Sequence, residues 1–326
     1  MTPRGLRILT WHVHGSYLEY LGHVPHTFYV PVRPGRPAGY AGLPPGREWP
    51  GGLVEVPWRD VRALDLDAVL FQSFRNYDHD QDELLSAEQR SLPRLYLEHD
   101  PPRESPTDTR HPAADTDVLV VHVTPFNELM WDCGTSSTRV VDHGVTVPAD
   151  ARYTGELERG LVIVNNLARR GRRLGLDVFE RVRREVPLDL VGMNSEEVGG
   201  LGEVPPPELP AFAARYRFLF NPIRYTSLGL AVCEAMAVGL PVVGLATTEM
   251  ATALRNDVSG YVDTDVSRLV ERMRALLSDR ELARRLGEGA RREALRRFSL
   301  ARFAADWDET LRAHVGASGR ALERVA

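Results

Sequence analysis

The sequence predicts an α/β protein of two units, each a parallel sheet with helices on both faces. Short apolar runs of strand length alternate with stretches of helical period along the chain. The chain has 326 residues, enough for two domains with full cores. A polar segment from Thr146 to Arg159, with Pro148, Gly155 and several charges, reads as the linker between the two units.

In the first unit, Leu6 to Val13 reads as a strand that delivers His14-Gly15-Ser16-Tyr17 to its carboxyl end, where ligands of doubly wound folds collect. Gly15 lets the chain turn beside a ligand. His12 and His14 share one face of an extended chain, but no third ligand is in view and a metal is not expected. Phe28 to Val30 is part of a second strand. Pro31 to Gly52 is dense in Pro, Gly and Arg and reads as a long loop. There Arg33, Arg36 and Tyr40 suit a charged or sugar-bearing acceptor, with plain solvation as the alternative. Asp67 to Ser73 is a buried strand, Asp78 to Ser91 a polar helix, and Arg94 to Glu98 a strand delivering His99-Asp100-Pro101-Pro102. Pro101 to Asp115 reads as mobile. Val118 to Val123, a helix from Pro125 to Cys133, a strand from Arg139 to Asp142 and the turn His143-Gly144-Val145 complete the unit.

The second unit opens with strand Leu161 to Val164 and a loop carrying Arg169, Arg170, Arg172 and Arg173. Helix Leu176 to Arg184, strand Leu188 to Val191, the turn from Gly192, a short helix Pro207 to Ala214 and strand Phe218 to Phe220 follow. The stretch from Asn221 to Leu245 then reads as a strand end, a turn, a helix, a Gly239 stop and a second strand beyond Pro241. Thr226 and Ser227 are expected N-caps. The first helical turn offers N–H groups and the positive dipole end to a phosphate. Glu234 stands among apolar neighbours, so it needs a partner, either a salt bridge or a ligand hydroxyl. A short helix near Glu249 to Arg255, the segment Ser259-Gly-Tyr-Val-Asp and three helical segments finish the chain: an apolar stripe at Leu269, Val270, Met273, Leu276 and Leu277, an Arg-rich helix Leu282 to Arg297, and Phe298 to Val315. A frayed tail is expected from Gly316.

Composition narrows the function. Hydrophobic residues are 43% and charged residues 26%, a globular profile. No apolar run reaches the roughly 18 residues of a membrane span. The net charge of −5 disfavours non-specific nucleic-acid binding. Cys133 and Cys233, both read as helical and apolar, suggest a reducing compartment. With no signal-peptide pattern at the start, the expectation is a cytoplasmic protein. All 40 strongly basic residues are arginine, so any cation on a phosphate is a planar guanidinium.

The run Tyr225-Thr-Ser-Leu-Gly-Leu-Ala-Val-Cys-Glu-Ala-Met-Ala-Val-Gly-Leu-Pro-Val-Val243 resembles the signature of family 4 glycosyltransferases of GT-B fold, Glu-x-Phe-Gly-x-x-x-x-Glu-Ala-Met-Ala-x-Gly-x-Pro-Val. The resemblance is strong from about Phe218 to Val262 and weak in the N-terminal half. It implies two Rossmann-like domains facing a cleft: residues 1–145 on the acceptor side, 146–300 binding the nucleotide-sugar, and 301–326 a helix crossing back to the first domain, then a tail. It implies retaining, metal-independent glycosyl transfer, with hexosyl transfer as the expected class and no cofactor beyond the nucleotide-diphosphate sugar. The acceptor, a glycan, lipid or small molecule, is unspecified. Glu234 aligns with the glutamate that bonds the ribose. Thr226 stands where the family has its first glutamate, which touches the donor sugar. Ser227, Leu228, Gly229 and Leu230 would offer amides to the diphosphate. The family's Gly-Arg-Leu aligns with Asn165-Asn166-Leu167, so Asn166 stands at the diphosphate-binding arginine. The lysine position falls among Arg170, Arg172 and Arg173. Gly15 would line the donor site. His99 matches a histidine near the anomeric carbon, and Asp100 beside it is read as a base or a structural turn. The competing reading is a non-catalytic nucleotide-sugar-binding module that lost turnover with the first glutamate; the absence of lysine rules out a pyridoxal-dependent phosphorylase. The Arg-rich helix from Glu281 leaves membrane contact open, against an acidic net charge.

Overall fold

A computed structural model of the protein describes residues 4–45 and 48–323. The chain divides into two compact units: residues up to Gly144 together with those from Leu300 onward, and Val145–Ser299.

The first unit is built on a seven-stranded sheet in the order β3-β2-β1-β4-β5-β6-β7. Its strands are β1 (Arg7–Thr10), β2 (Thr27–Val32), β3 (Leu53–Pro57), β4 (Ala68–Phe71), β5 (Arg94–Glu98), β6 (Leu119–His122) and β7 (Thr138–Val140). Every pairing is parallel. Strands β4 and β6 are buried at all positions, which is why they are apolar apart from the buried His122 that ends β6. Leu9, Trp11, Val69, Phe71, Tyr96 and Val120 belong to one core cluster. Helix α1 (Gly15–Leu21) buries Tyr17, Leu18, Tyr20 and Leu21. Helix α2 (Pro125–Met130) starts where Thr124 accepts from the Asn127 N–H at 3.1 Å, with proline in its first turn.

The second unit holds a five-stranded parallel sheet in the order β12-β11-β10-β8-β9. Its strands are β8 (Leu157–Ile163), β9 (Leu188–Val191), β10 (Tyr216–Asn221), β11 (Val242–Leu245) and β12 (Gly260–Asp263). Helices α3 (Leu176–Val182), α4 (Leu230–Val238), α5 (Val266–Ser278) and α6 (Arg280–Arg297) flank it. Helix α4 ends at Gly239, whose φ of 97° is the left-handed cap expected there. Helix α6 meets it backbone to backbone: a Cβ on Gly287 would lie 2.0 Å from the Gly239 carbonyl oxygen, and one on Gly289 1.7 Å from that of Val258. Arg291 adds a hydrogen bond to the Ala237 carbonyl. The unit closes on itself where the Val145 N–H donates to the Phe298 carbonyl at 2.9 Å.

Helix α7 (Leu300–Glu323) returns to the first unit. Trp307 is fully buried and donates to the Tyr17 hydroxyl at 3.1 Å; Arg302 bonds the Asp142 carbonyl at 2.9 Å and that of His143 at 2.5 Å. A Cβ on Gly144 would strike the Phe303 ring.

Several sequence expectations change. Strand β3 was not foreseen, because its half-buried Glu55 and terminal Pro57 break the apolar run. The helix expected over Asp78 to Ser91 is a π-helical turn, Asn76–Asp80, followed by two four-residue helices. Ser86 separates those two because it caps the second, in a reciprocal pair with Gln89. The segment read as mobile, Pro101 to Asp115, is tied down: the His111 N–H donates to the Asp132 carbonyl at 2.8 Å, the Asp132 N–H to that of Thr109 at 3.2 Å, and Arg110 pairs with Asp115. Cys133 lies beyond α2, just before the turn at Gly134; both cysteines are buried and unbridged. Helix α7 continues through the expected tail as far as Glu323, since Gly316 alone costs only about 1 kcal/mol in helix propensity. The last three residues of that tail lie outside the described residues.

Candidate functional site

In the second unit, loops from the carboxyl ends of β8, β9, β10 and β11 gather the expected donor residues along one sheet edge. After β8, Asn166 adopts a left-handed conformation with φ 54°, as does Asn194 after β9 with φ 56°. The two side chains are latched: the Asn194 amide donates to the Asn166 Oδ1 at 2.8 Å, while the Met193 N–H donates to Asn165 Oδ1 at 2.9 Å. Asn166 therefore joins two strand ends rather than presenting a cation.

The arginine loop is built against the loop after β10. Gly175 has φ 83°, and a Cβ there would lie 1.9 Å from the Pro222 carbonyl oxygen. The Arg224 and Tyr225 N–H groups donate to the Arg173 carbonyl at 3.1 and 3.2 Å. Asp177 collects Arg172 at 2.6 Å and both arms of Arg224. Arg224's hydrogen bonds, with Arg172 adding charge, hold the Asp177 carboxyl below its usual range. Arg170 is half-buried, and Arg173 is half-buried with no side-chain partner among the described residues.

Helix α4 begins later than its sequence suggests. The N-cap is Gly229, in extended conformation with φ −72°, not Thr226 or Ser227. Thr and Ser are strong caps in general, but here Thr226 is half-buried in the preceding turn and the Ser227 hydroxyl turns inward. Ser227 is 8% exposed, and its Oγ is buried without a hydrogen-bond partner. Leu228 is buried, Leu230 is the first helical residue and half-buried, and a Cβ on Gly229 would meet nothing within 4 Å. Glu234 is half-buried on the same helix. After β11, the Thr247 hydroxyl donates to the Ile223 carbonyl at 3.1 Å, and Thr248 has φ 51°. A β-branched residue in that region is strained. Three of the second unit's left-handed non-glycine residues, Asn166, Asn194 and Thr248, thus stand at the carboxyl ends of its strands.

In the first unit, His99 follows β5 inside a cluster of rings. His14, the residue before α1, lies 4.3 Å away between ring centroids and Tyr17 4.9 Å; Tyr17 also meets His143 at 5.9 Å. Gly15 opens α1 and is half-buried. Burial, then the charge of neighbouring His14 and His143, holds the His99 imidazole well below its ordinary range, so the ring is neutral at pH 7. Asp100 is paired with Arg103, and its N–H donates to Glu98 Oε1 at 2.9 Å; it serves the turn. The acceptor role read for Arg33, Arg36 and Tyr40 is not what the geometry favours. Arg33 stacks 4.1 Å over Tyr40 and 4.6 Å over Trp58 and pairs with Glu83 at 2.6 Å; Arg36 pairs with Glu55 at 2.7 Å; Tyr40 is buried. Together they fasten the long loop. His12 bonds the Gly42 carbonyl of that loop at 2.5 Å, and no group of three or more His, Cys, Asp or Glu among the described residues is arranged to hold a metal.

Residues 192–293, within the second unit, match the family described as Glycosyl transferases group 1. The D-inositol 3-phosphate glycosyltransferase of Geodermatophilus obscurus is 34% identical over 128 residues, which is 38% of this chain. The match spans about a quarter, 26%, of that curated relative's length. Among solved structures, sucrose-phosphate synthase from Thermosynechococcus elongatus superposes with a TM-score of 0.69 at 17% identity, covering 96% of this chain and 100% of that one. HepE of Anabaena in complex with UDP-glucose gives 0.65 at 13%, covering 94% and 100%. AviGT4, from avilamycin A biosynthesis, gives 0.65 at 16%, covering 96% and 98%. The fold is two parallel-sheet α/β Rossmann-like domains, that of the GT-B glycosyltransferases.

Proposed function

We propose that the protein moves a sugar, a hexose by class, from a nucleotide-diphosphate sugar to a glycan, lipid or small-molecule acceptor, with retention and without a metal. The observation that carries this reading is the start of α4 inside the matched segment: a buried Ser227 hydroxyl with no partner beside a Gly229 whose side-chain space is empty. The amides and helix dipole face open space at Gly229 that suits a phosphate. The UDP-glucose held by HepE supports a nucleoside diphosphate sugar as the ligand class.

In this reading the amides of Ser227 to Leu230 and the Arg173 guanidinium, with Arg170, carry the diphosphate charge that a metal would otherwise carry. Arg172 is engaged by Asp177 and contributes through the field. Asn166 orients the loop. Glu234 accepts from the ribose hydroxyls, and Thr226 sits where the sugar is read. For Gly15 and His99, in the first unit, the reading keeps the role the family resemblance implies, towards the sugar or its acceptor. The bond from the anomeric carbon to the phosphate oxygen breaks as that from the acceptor oxygen forms. The acceptor proton passes to the departing phosphate on the same face, so no side-chain nucleophile is required. A cytoplasmic setting belongs to this reading; no helix among the described residues is long and apolar enough to cross a membrane.

Calorimetry with a panel of nucleoside diphosphates and their sugars, joined to a donor-hydrolysis assay, tests this. Binding of one nucleotide-sugar with slow hydrolysis is expected. Tight nucleotide binding with no turnover on any acceptor would make the protein a binding module instead, and the missing glutamate at Thr226 its cause. No binding by any nucleotide overturns both.

A further inference from the structure

Gln72 is a buried amide at the carboxyl end of β4, 3% exposed, and no part of the donor reading uses it. Its nitrogen lies 2.8 Å from the Trp11 carbonyl oxygen and 2.8 Å from Thr10 Oγ1, at the end of β1. Its oxygen lies 3.2 Å from His99 Nε2. A backbone carbonyl can only accept, so the atom facing Trp11 must be the NH2 group, which leaves the oxygen facing His99. That oxygen can only accept in turn. We propose that Gln72 is a positioning residue that locks His99 in the tautomer protonated on Nε2, so that Nδ1 presents a lone pair to a hydroxyl of the sugar or its acceptor. His99 then works as a hydrogen-bond acceptor and not as a proton donor.

Three things support this beyond the distances. Gln72 and Thr10 are held in register by adjacent strands, since Thr10 pairs with Leu70 two residues before Gln72. A buried amide facing a backbone carbonyl has one orientation, because rotating it would set its oxygen against the Trp11 carbonyl oxygen. And the ring packs against His14 from the start of α1, Tyr17 from α1 and, through Tyr17, His143 after β7, none of which is a carboxylate that would draw a second proton onto it. The neutral ring described above follows from the same surroundings.

The proposal rests on His99 meeting substrate, and its test separates the two. Long-range proton–nitrogen NMR on full-length protein labelled at histidine reads the tautomer without any donor present, with His99 identified by the signal that Gln72-intact His99→Gln lacks. The expected result is a proton on Nε2 in the unmodified protein. Gln72→Met removes the acceptor at similar volume; a mixture of tautomers is expected, with a roughly tenfold to hundredfold fall in kcat and little change in donor KM. Gln72→Glu, buried and protonated, still donates to Trp11 and still turns an oxygen to the ring, so it should keep the Nε2 proton and recover most of the rate. A proton on Nδ1 in the unmodified protein, or an unchanged tautomer and rate in Gln72→Met, overturns the role of Gln72. Absence of transfer with the proton on Nε2 overturns the transferase reading and leaves the lock intact.

Discussion

The residues at the start of α4 make the sharpest separable predictions. Gly229 needs neither its missing side chain nor a positive φ for folding. Gly229→Ser places a better N-cap on the helix, so the thermal midpoint should hold or rise, by about 0.5 kcal/mol in stability. Its side chain fills the space given to the diphosphate, so nucleotide affinity should fall about tenfold or more. Calorimetry and a melting curve check the two opposite signs; a melting point that falls with affinity intact defeats the assignment. Glu234→Gln removes a charged acceptor from the ribose and should weaken nucleotide binding about tenfold to a hundredfold, with full affinity as the disproof. Thr248, strained at φ 51°, should gain about 0.5–1 kcal/mol on replacement by Asn, which tolerates that region, as read by urea unfolding. Glu234 and Gly229 stand out in the sequence, as a carboxylate and a glycine among apolar neighbours. Gln72 and Arg224 do not: nothing in the order of residues says that a glutamine at a strand end will meet a histidine beyond the next strand, or that Asp177 will take Arg224 rather than leave the loop arginines apart.

Among elements, the contact of α6 with α4 decides how firmly the start of α4 is held. The helices touch through glycine, with Gly287 against the Gly239 carbonyl, so there is no room for a methyl group. Gly287→Ala should cost about 1–3 kcal/mol by overpacking and should also weaken nucleotide binding, since α4 must shift. A variant at full stability and full affinity would refute the tight packing. On the Arg-rich helix, Arg284 pairs with Glu281 and Glu288, and Arg296 with Glu293, while Arg291 and Arg297 reach Ala237 and Glu249 outside it. Strands were the most legible elements, because a strand covered on both faces must be an unbroken apolar run. Edge strand β3 and the short helices around Ser86 were not, because exposure and local capping there outweigh periodicity.

At the scale of the whole molecule, all ten histidines lie in the first unit. Burial lowers the imidazoles of His26, His99, His122 and His314, that of His122 to about 3. An unfolded imidazole takes up a proton near about pH 6.5, while the folded ones refuse it until lower pH. The unfolded chain thus binds more protons, and stability present at pH 7 is lost as pH falls below about 6.5. At pH 5 His122 alone should cost about 2 kcal/mol. Calorimetry from pH 7 to pH 5 should show the transition of the first unit moving down while that of the second, which has no histidine, holds; a common shift of both would count against this. The chain's plan also orders its synthesis. The second unit is an insertion, closed at its own neck by Val145 and Phe298, between two segments that share one core. A ribosome releases all of it before Trp307 can reach Tyr17. The second unit can fold while the other half waits with its core uncovered, so a chain arrested near residue 300 would hold one finished unit beside another that chaperones and proteases still recognise as unfinished.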